Sequence, residues 1–215
     1  YGKSGLAHFL EHLMFKGTTK FPNGYFSKYI SKNGGSENAF TSFDYTAYYQ
    51  IVPSDKVEKI IELESDRMRN LTLTKEQVET EKKVILEERY QRIDSSPSAI
   101  LDESMRKSLF PNHAYGTPII GWEHEIVSLN YQDVKQFYKK YYIPSNATLI
   151  FSGDISLEKA KRLAKKYFGN INVSEKSIDR PILSDPVIKP SIRINYDHPS
   201  VKQKIWKKSY KTKSY

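Results

Sequence analysis

The sequence predicts an α+β fold in which helices pack on one face of a largely antiparallel sheet. Three observations carry that reading. Most segments place apolar residues at helical spacing, period-two alternation is confined to a few short stretches scattered between them, and no internal repeat recurs at a fixed period. The length of 215 residues fits one large domain or two small ones and allows a sizeable core.

The first helix is expected over Gly5–Phe15, ending near Gly17, and the second over Tyr25–Lys32, with Asn23 as candidate N-cap and Gly34 just past the end. From Asn38 to Val52 the period becomes two. Phe43, Tyr45, Ala47, Tyr49 and Ile51 share one face and Ser42, Asp44, Thr46 and Gln50 the other, which reads as a half-buried strand. Pro53-Ser54-Asp55 ends it and caps a helix through about Arg69, with Val57, Ile60, Ile61, Leu63 and Met68 as its apolar stripe. Thr74 and Gln77 form a capping box that opens a helix running to about Ile93. Pro97 starts another through about Leu109, followed by a loop marked by Pro111, Asn112, Gly116, Pro118 and Gly121. Asn130 caps a helix through Tyr142, stopped by Pro144. Ala147–Ser152 reads as a strand, Ser156–Phe168 as a helix closed by Gly169, and Ser191–Tyr196 as a final strand. Between these last two, Pro181, Pro186 and Pro190 sit among Ser, Asp and Lys and suggest a linker.

Composition narrows the function. Hydrophobic residues make up 38%, but 16 Tyr, 10 Phe and 2 Trp supply the bulk that disordered chains lack. No apolar run of about 18 residues exists to span a bilayer. With no cysteine, disulfide scaffolds, zinc ribbons and thiol enzymes are excluded, and any metal must be held by His, Asp or Glu. The net charge of +9 arises in the second half: residues 1–100 carry 14 basic and 14 acidic side chains, residues 101–215 carry 20 and 11. That excess concentrates in Lys159–Lys166 and Lys202–Lys213; in the first stretch Leu163, Ala164, Tyr167 and Phe168 would form the buried side and the lysines the wet one. No zinc-finger, phosphate-loop or RNA-binding signature accompanies the charge, so nucleic acid is not expected as a partner.

His8-Phe9-Leu10-Glu11-His12 is the pentapeptide with the most chemistry. On a helix, residues four apart face the same way, so His8 and His12 can present ring nitrogens to one ion, with Glu11 one step aside. A chance pairing on a polar face is the alternative. The apolar neighbours Leu6, Phe9, Leu10, Leu13 and Phe15 argue against it, because a buried His-Glu-His group without compensation is costly to desolvate. A catalytic zinc site takes three protein ligands, and the third is expected to be a carboxylate. His113, His124 and His198 have no partners at ligand spacing and read as loop or surface residues.

The order H-x-x-E-H is that of the inverzincins, and the chain resembles the pitrilysin or insulinase family of zinc peptidases. The resemblance runs through Gly5–Thr18, through Asn33-Gly34-Gly35 and Asn38-Ala39-Phe40-Thr41, through Glu81–Glu88, through Tyr115–Gly121, and through Phe151–Asp154. It implies that one zinc ion is held by His8, His12 and Glu88, that Glu11 is the base that activates water, and that Glu81 is a supporting carboxylate. Seven residues on a helix return within about 20° of one face, so Glu81 and Glu88 lie together, while Glu87 points roughly 100° away. It also implies that Asn38, Ala39 and Phe40 lie on a strand that holds an extended, unstructured peptide by edge addition.

Members of this family have paired halves that close like a clam shell. The resemblance therefore makes residues 1–180 the zinc-peptidase half-domain, incomplete at its start, and residues 181–215 a linker and candidate beginning of the second half. A second homologous half or partner subunit is expected. The family's second half supplies an Arg and Tyr pair for the substrate carbonyl that has no match here. A zinc endopeptidase and a noncatalytic homologue or fragment with a structural or peptide-binding role are the two readings, and the intact His8, Glu11, His12, Glu81 and Glu88 favour the first. No compartment can be read from the residues; the resemblance implies bacterial cytoplasm or periplasm, or mitochondrial matrix.

Overall fold

A computed structural model describes residues 2–171, 178 and 183–212. Helix α1 spans Leu6–Leu13 and tightens into a 3-10 turn at Met14–Lys16. Its apolar residues are the centre of the main core: Phe9, Leu10 and Leu13 are fully buried, packed with Val78, Ile85, Ile126, Leu129 and Val134. Gly5 caps it in the left-handed region at φ 78, and a Cβ there would meet the Ile120 carbonyl oxygen at 2.3 Å. Only glycine fits both requirements.

Helix α2 spans Tyr25–Lys32. Its N-cap is Gly24 at φ 77 rather than the expected Asn23, so backbone geometry and not a side-chain acceptor starts this helix. Gly34, at φ 70, closes it as expected.

The period-two stretch is two strands, not one. Strands β1 (Ser36–Thr41) and β2 (Thr46–Ile51) pair antiparallel, with Ala39 opposite Tyr48 and Thr41 opposite Thr46. The Ser42 N–H donates to the Tyr45 carbonyl, so the chain reverses at Phe43-Asp44. Because Thr41 pairs with Thr46, the inner face passes from odd positions in β1 to even positions in β2, so one period-two phase does not run through the turn. The buried face is also the opposite of the one expected: Tyr45, Tyr49 and Ile51 are exposed, whereas Tyr48 packs against the α1 core. Its register is set by Arg67, whose guanidinium lies 4.5 Å from the Tyr48 ring, and by a Tyr48–Tyr142 hydroxyl contact of 2.6 Å.

Helix α3 (Val57–Asn70) buries Ile60, Ile61 and Leu63, and with Phe21 and Ile30 makes a second small core. The cap expected from Pro53-Ser54-Asp55 is not made: Lys56 occupies the N-cap position, with no side-chain cap, and Asp55 lies one residue before it. Helix α4 (Lys75–Arg89) opens with the expected Thr74–Gln77 capping box and continues into a π-helical turn at Tyr90–Asp94. Helix α5 spans Pro97–Leu109 with Ser96 as N-cap. Helix α6 (Glu123–Ser128) is too short for its periodicity to have been read. Helix α7 (Tyr131–Tyr141) starts from an Asn130–Asp133 capping box, and α8 (Leu157–Phe168) from Ser156. On α8, Leu163 is buried and Lys161, Lys165 and Lys166 face water, as their spacing predicts.

The architecture is α+β, with helices packed against a small two-stranded antiparallel sheet. The strands expected at 147–152 and 191–196 carry no ladder, because no other strand lies beside them among the described residues. The expected boundary between residues 180 and 181 falls outside the described residues. No helix among the described residues is long and apolar enough to cross a membrane.

Candidate metal centre

Two helices build the site. Helix α1 presents His8 and His12 one turn apart, and α4, packed against it through Val78 and Ile85, presents Glu81 and Glu88 two turns apart. The two imidazole rings meet edge to face with centroids 4.6 Å apart. Their Nε2 atoms are 3.3 Å apart, and Glu88 Oε2 lies 3.6 Å from His8 Nε2 and 3.4 Å from His12 Nε2. Three lone-pair donors thus form a nearly equilateral triangle.

That triangle has the size of a metal's coordination face. Zinc to nitrogen or oxygen bonds of about 2.0–2.1 Å give a tetrahedron whose edge is about 3.3–3.4 Å. Glu88 Oε2 is buried and has no hydrogen-bond partner among the described residues. An orphaned buried carboxylate oxygen facing two imidazole nitrogens is the arrangement a cation would satisfy. Among the described residues, His8, His12 and Glu88 are the group of three such side chains that could hold a metal ion.

Neighbouring groups orient these donors. Glu81 Oε1 lies 3.0 Å from His12 Nδ1, so the ring donates there and its Nε2 keeps a free lone pair. Lys16 Nζ contacts the other Glu81 oxygen at 2.5 Å. The hydrogen bond from His12, aided by Lys16 and opposed by burial, pulls the Glu81 pKa down to about 2. Burial, and then the charges of His12 and Arg92, push His8 down to about 4, which keeps it neutral and able to ligate. For His12, burial lowers the pKa, but the hydrogen bond to Glu81 and the charges of Glu88, Glu81 and Glu11 outweigh it and raise it. Arg92, from the π-helical turn, holds Glu88 Oε1 at 3.0 Å and leaves Oε2 for the site. Glu87 sits on the exposed face of α4, bonded to Gln91.

Glu11 is buried beside the histidines but outside the triangle, and its Oε2 accepts a hydrogen bond of 2.5 Å from Thr41 Oγ1. Asn38, Ala39 and Phe40 lie on β1, whose one ladder partner among the described residues is β2. Asn38 and Phe40 are exposed, and Ala39 shares the inner face with Thr41. His113 and His198 serve loop hydrogen bonds, to the Tyr115 N–H and to Ser200.

Sequence reasoning missed Lys16, Thr41 and Arg92. Arg92 follows Glu88 by four residues, a spacing that could have flagged it; Thr41 and Lys16 reach the site only through tertiary packing.

Comparison with known proteins identifies the family of the chain. The profile of the insulinase family, peptidase family M16, matches residues 2–123, which contain every residue of the site, and that of the peptidase M16 inactive domain matches residues 128–214. The chain is 37% identical over 186 residues to the zinc protease PqqE of Helicobacter pylori, covering 86% of this chain and 42% of that protein. The crystal structure of a protease from Helicobacter pylori superposes with a TM-score of 0.83 at 36% identity, over 86% of this chain and 45% of the other. The first half of the periplasmic protease PqqL from Escherichia coli superposes with a TM-score of 0.75 at 25% identity, over 86% of this chain and 41% of the other. The chain spans less than half the length of these relatives, and it belongs to the insulinase family of zinc metallopeptidases, peptidase family M16.

Proposed function

We propose that this chain is the zinc-binding half of a metalloendopeptidase that hydrolyses extended, unstructured peptides. The observation that carries the reading is the triangle of His8 Nε2, His12 Nε2 and Glu88 Oε2, with sides of 3.3–3.6 Å. Zinc held there would lower the pKa of a water to near neutrality and polarise a peptide carbonyl.

The chain's own residues have distinct tasks. Glu11 takes a proton from the attacking water and returns it to the leaving amine. Glu81 fixes the tautomer of His12, and Arg92 turns one oxygen of Glu88 towards the site. Strand β1 receives the peptide along the edge opposite β2 at Asn38–Phe40, where backbone hydrogen bonds give affinity without strong sequence choice. In this proposal residues 1–180 form the half-domain and residues 181–215 lead into the second, and a homologous half or partner chain closes over the bound peptide.

The test is hydrolysis of a quenched unstructured peptide, with zinc content measured on the same sample. Activity that chelator removes and zinc restores, and that Glu11→Gln abolishes with zinc still bound, is the expected result. Retained turnover in a zinc-replete Glu11→Gln protein would sink the role of Glu11. Stoichiometric zinc without turnover would favour the noncatalytic reading for the chain alone and direct the search to a second half.

A further inference from the structure

Thr41 is the last residue of β1 and reaches across to α1, where its Oγ1 lies 2.5 Å from Glu11 Oε2 and 3.1 Å from Thr46 Oγ1. Valence fixes the direction of both bonds. The Thr41 hydroxyl donates its single proton to Glu11 Oε2, so in its contact with Thr46 it accepts. The two threonines form the register pair that closes the hairpin.

The hairpin is itself anchored along β2 and at its tip. Tyr48 of β2 packs on Arg67 and touches Tyr142 through its hydroxyl, and at the tip Tyr115 Oη donates to Asp44 at 2.6 Å while its ring lies 4.9 Å from Phe43. Thr41 is therefore preset by β-structure, and Glu11 by a buried helix. The contact between them joins the strand proposed to receive the peptide to the carboxylate proposed to move the proton.

Resting on the reading of Glu11 as the base, we propose that Thr41 is a positioning residue: its hydroxyl holds Glu11 Oε2 so that the other carboxylate oxygen is presented to the attacking water. One oxygen is anchored and the other is free to take the proton. A merely structural role, satisfying a buried carboxylate, would show in stability and not in turnover of folded enzyme.

Two substitutions separate these. Thr41→Val removes the hydroxyl and keeps the β-branched shape, and Thr41→Ser keeps the hydroxyl. Crystal structures of the three proteins read the position directly. Glu11 is expected to rest on the residue 41 hydroxyl in the parent and the serine variant and to leave that place in the valine variant; an unmoved Glu11 in Thr41→Val would overturn the proposal. In kinetics at equal zinc content, Thr41→Val is expected to lower kcat about tenfold to hundredfold with KM within about twofold, and Thr41→Ser to restore most of it. Full kcat in Thr41→Val beside an inactive Glu11→Gln overturns the positioning role alone. Turnover by zinc-loaded Glu11→Gln overturns the base reading and this proposal together. Where the chain alone does not turn over, the crystal structures decide.

Discussion

His12 Nδ1 and Glu81 Oε1 lie 3.0 Å apart across the contact between α1 and α4, and that bond turns the opposite nitrogen of His12 towards His8 and Glu88. The carboxylate that orients the ring is itself held by Lys16, so the lone pair at Nε2 is set before any ligand arrives. Preorganisation of this kind is worth as much to affinity as an added contact, because the donors need no rearrangement on binding.

Glu81→Gln tests this orientation without removing a ligand. Zinc affinity is expected to fall about 10–100-fold, with one zinc still bound at saturation, as measured by competition with a chromophoric chelator. Unchanged affinity would leave Glu81 with a packing role only. The same carboxylate contributes to acid stability: its folded pKa of about 2 lies below the ordinary 4.5, so its contribution is present above pH 4.5 and is lost as pH falls towards 2. Acid unfolding of the metal-free protein is expected to lose that contribution in Glu81→Gln.

The buried phenols give the opposite dependence at alkaline pH. Burial raises Tyr48, Tyr138 and Tyr142, the last to about 12, from the ordinary value of 10.0. The folded state keeps protons that the unfolded chain gives up, so their contribution is whole below pH 10 and is lost as pH rises towards 12. The urea midpoint is expected to drop between about pH 9 and about pH 11, with phenolate absorbance from these residues appearing only on unfolding. Early ionisation of all tyrosines in the folded protein would contradict the packing around Tyr48.

Arg67 is 2% exposed, bonded through two nitrogens to Glu64 and placed 4.5–5.4 Å from the rings of Tyr48, Phe26 and Phe15. Arg67→Met leaves Glu64 without its charge partner and loosens β2. A loss of about 3–5 kcal/mol in urea unfolding is expected, in the range for breaking a buried pair. A loss under about 1 kcal/mol would mean that the pair behaves like a surface one.

How much of this was legible in the sequence varied by the range of the interaction. The histidine pair, the Thr74–Gln77 and Asn130 caps, and the face shared by Glu81 and Glu88 depend on spacing within one helix, and each is found as expected. The hairpin defeats a single-strand reading because its register, Thr41 opposite Thr46, moves the inner face from odd to even positions, and that face of β2 is filled by Tyr48 against Arg67 and Tyr142. Asp55 does not cap α3 because the helix starts one residue later, with Lys56 in the N-cap position. Thr41 lies in the Asn38–Thr41 segment that carries the resemblance, but its bond to Glu11 spans 30 residues and no spacing along the chain points to it.

Anomalous diffraction at the zinc edge, from crystals grown with the metal, decides whether His8, His12 and Glu88 hold zinc. A single strong peak is expected within bonding distance, about 2.0–2.2 Å, of His8 Nε2, His12 Nε2 and a Glu88 oxygen. A peak on other ligands, or none at this triangle in crystals shown to contain zinc, would contradict it.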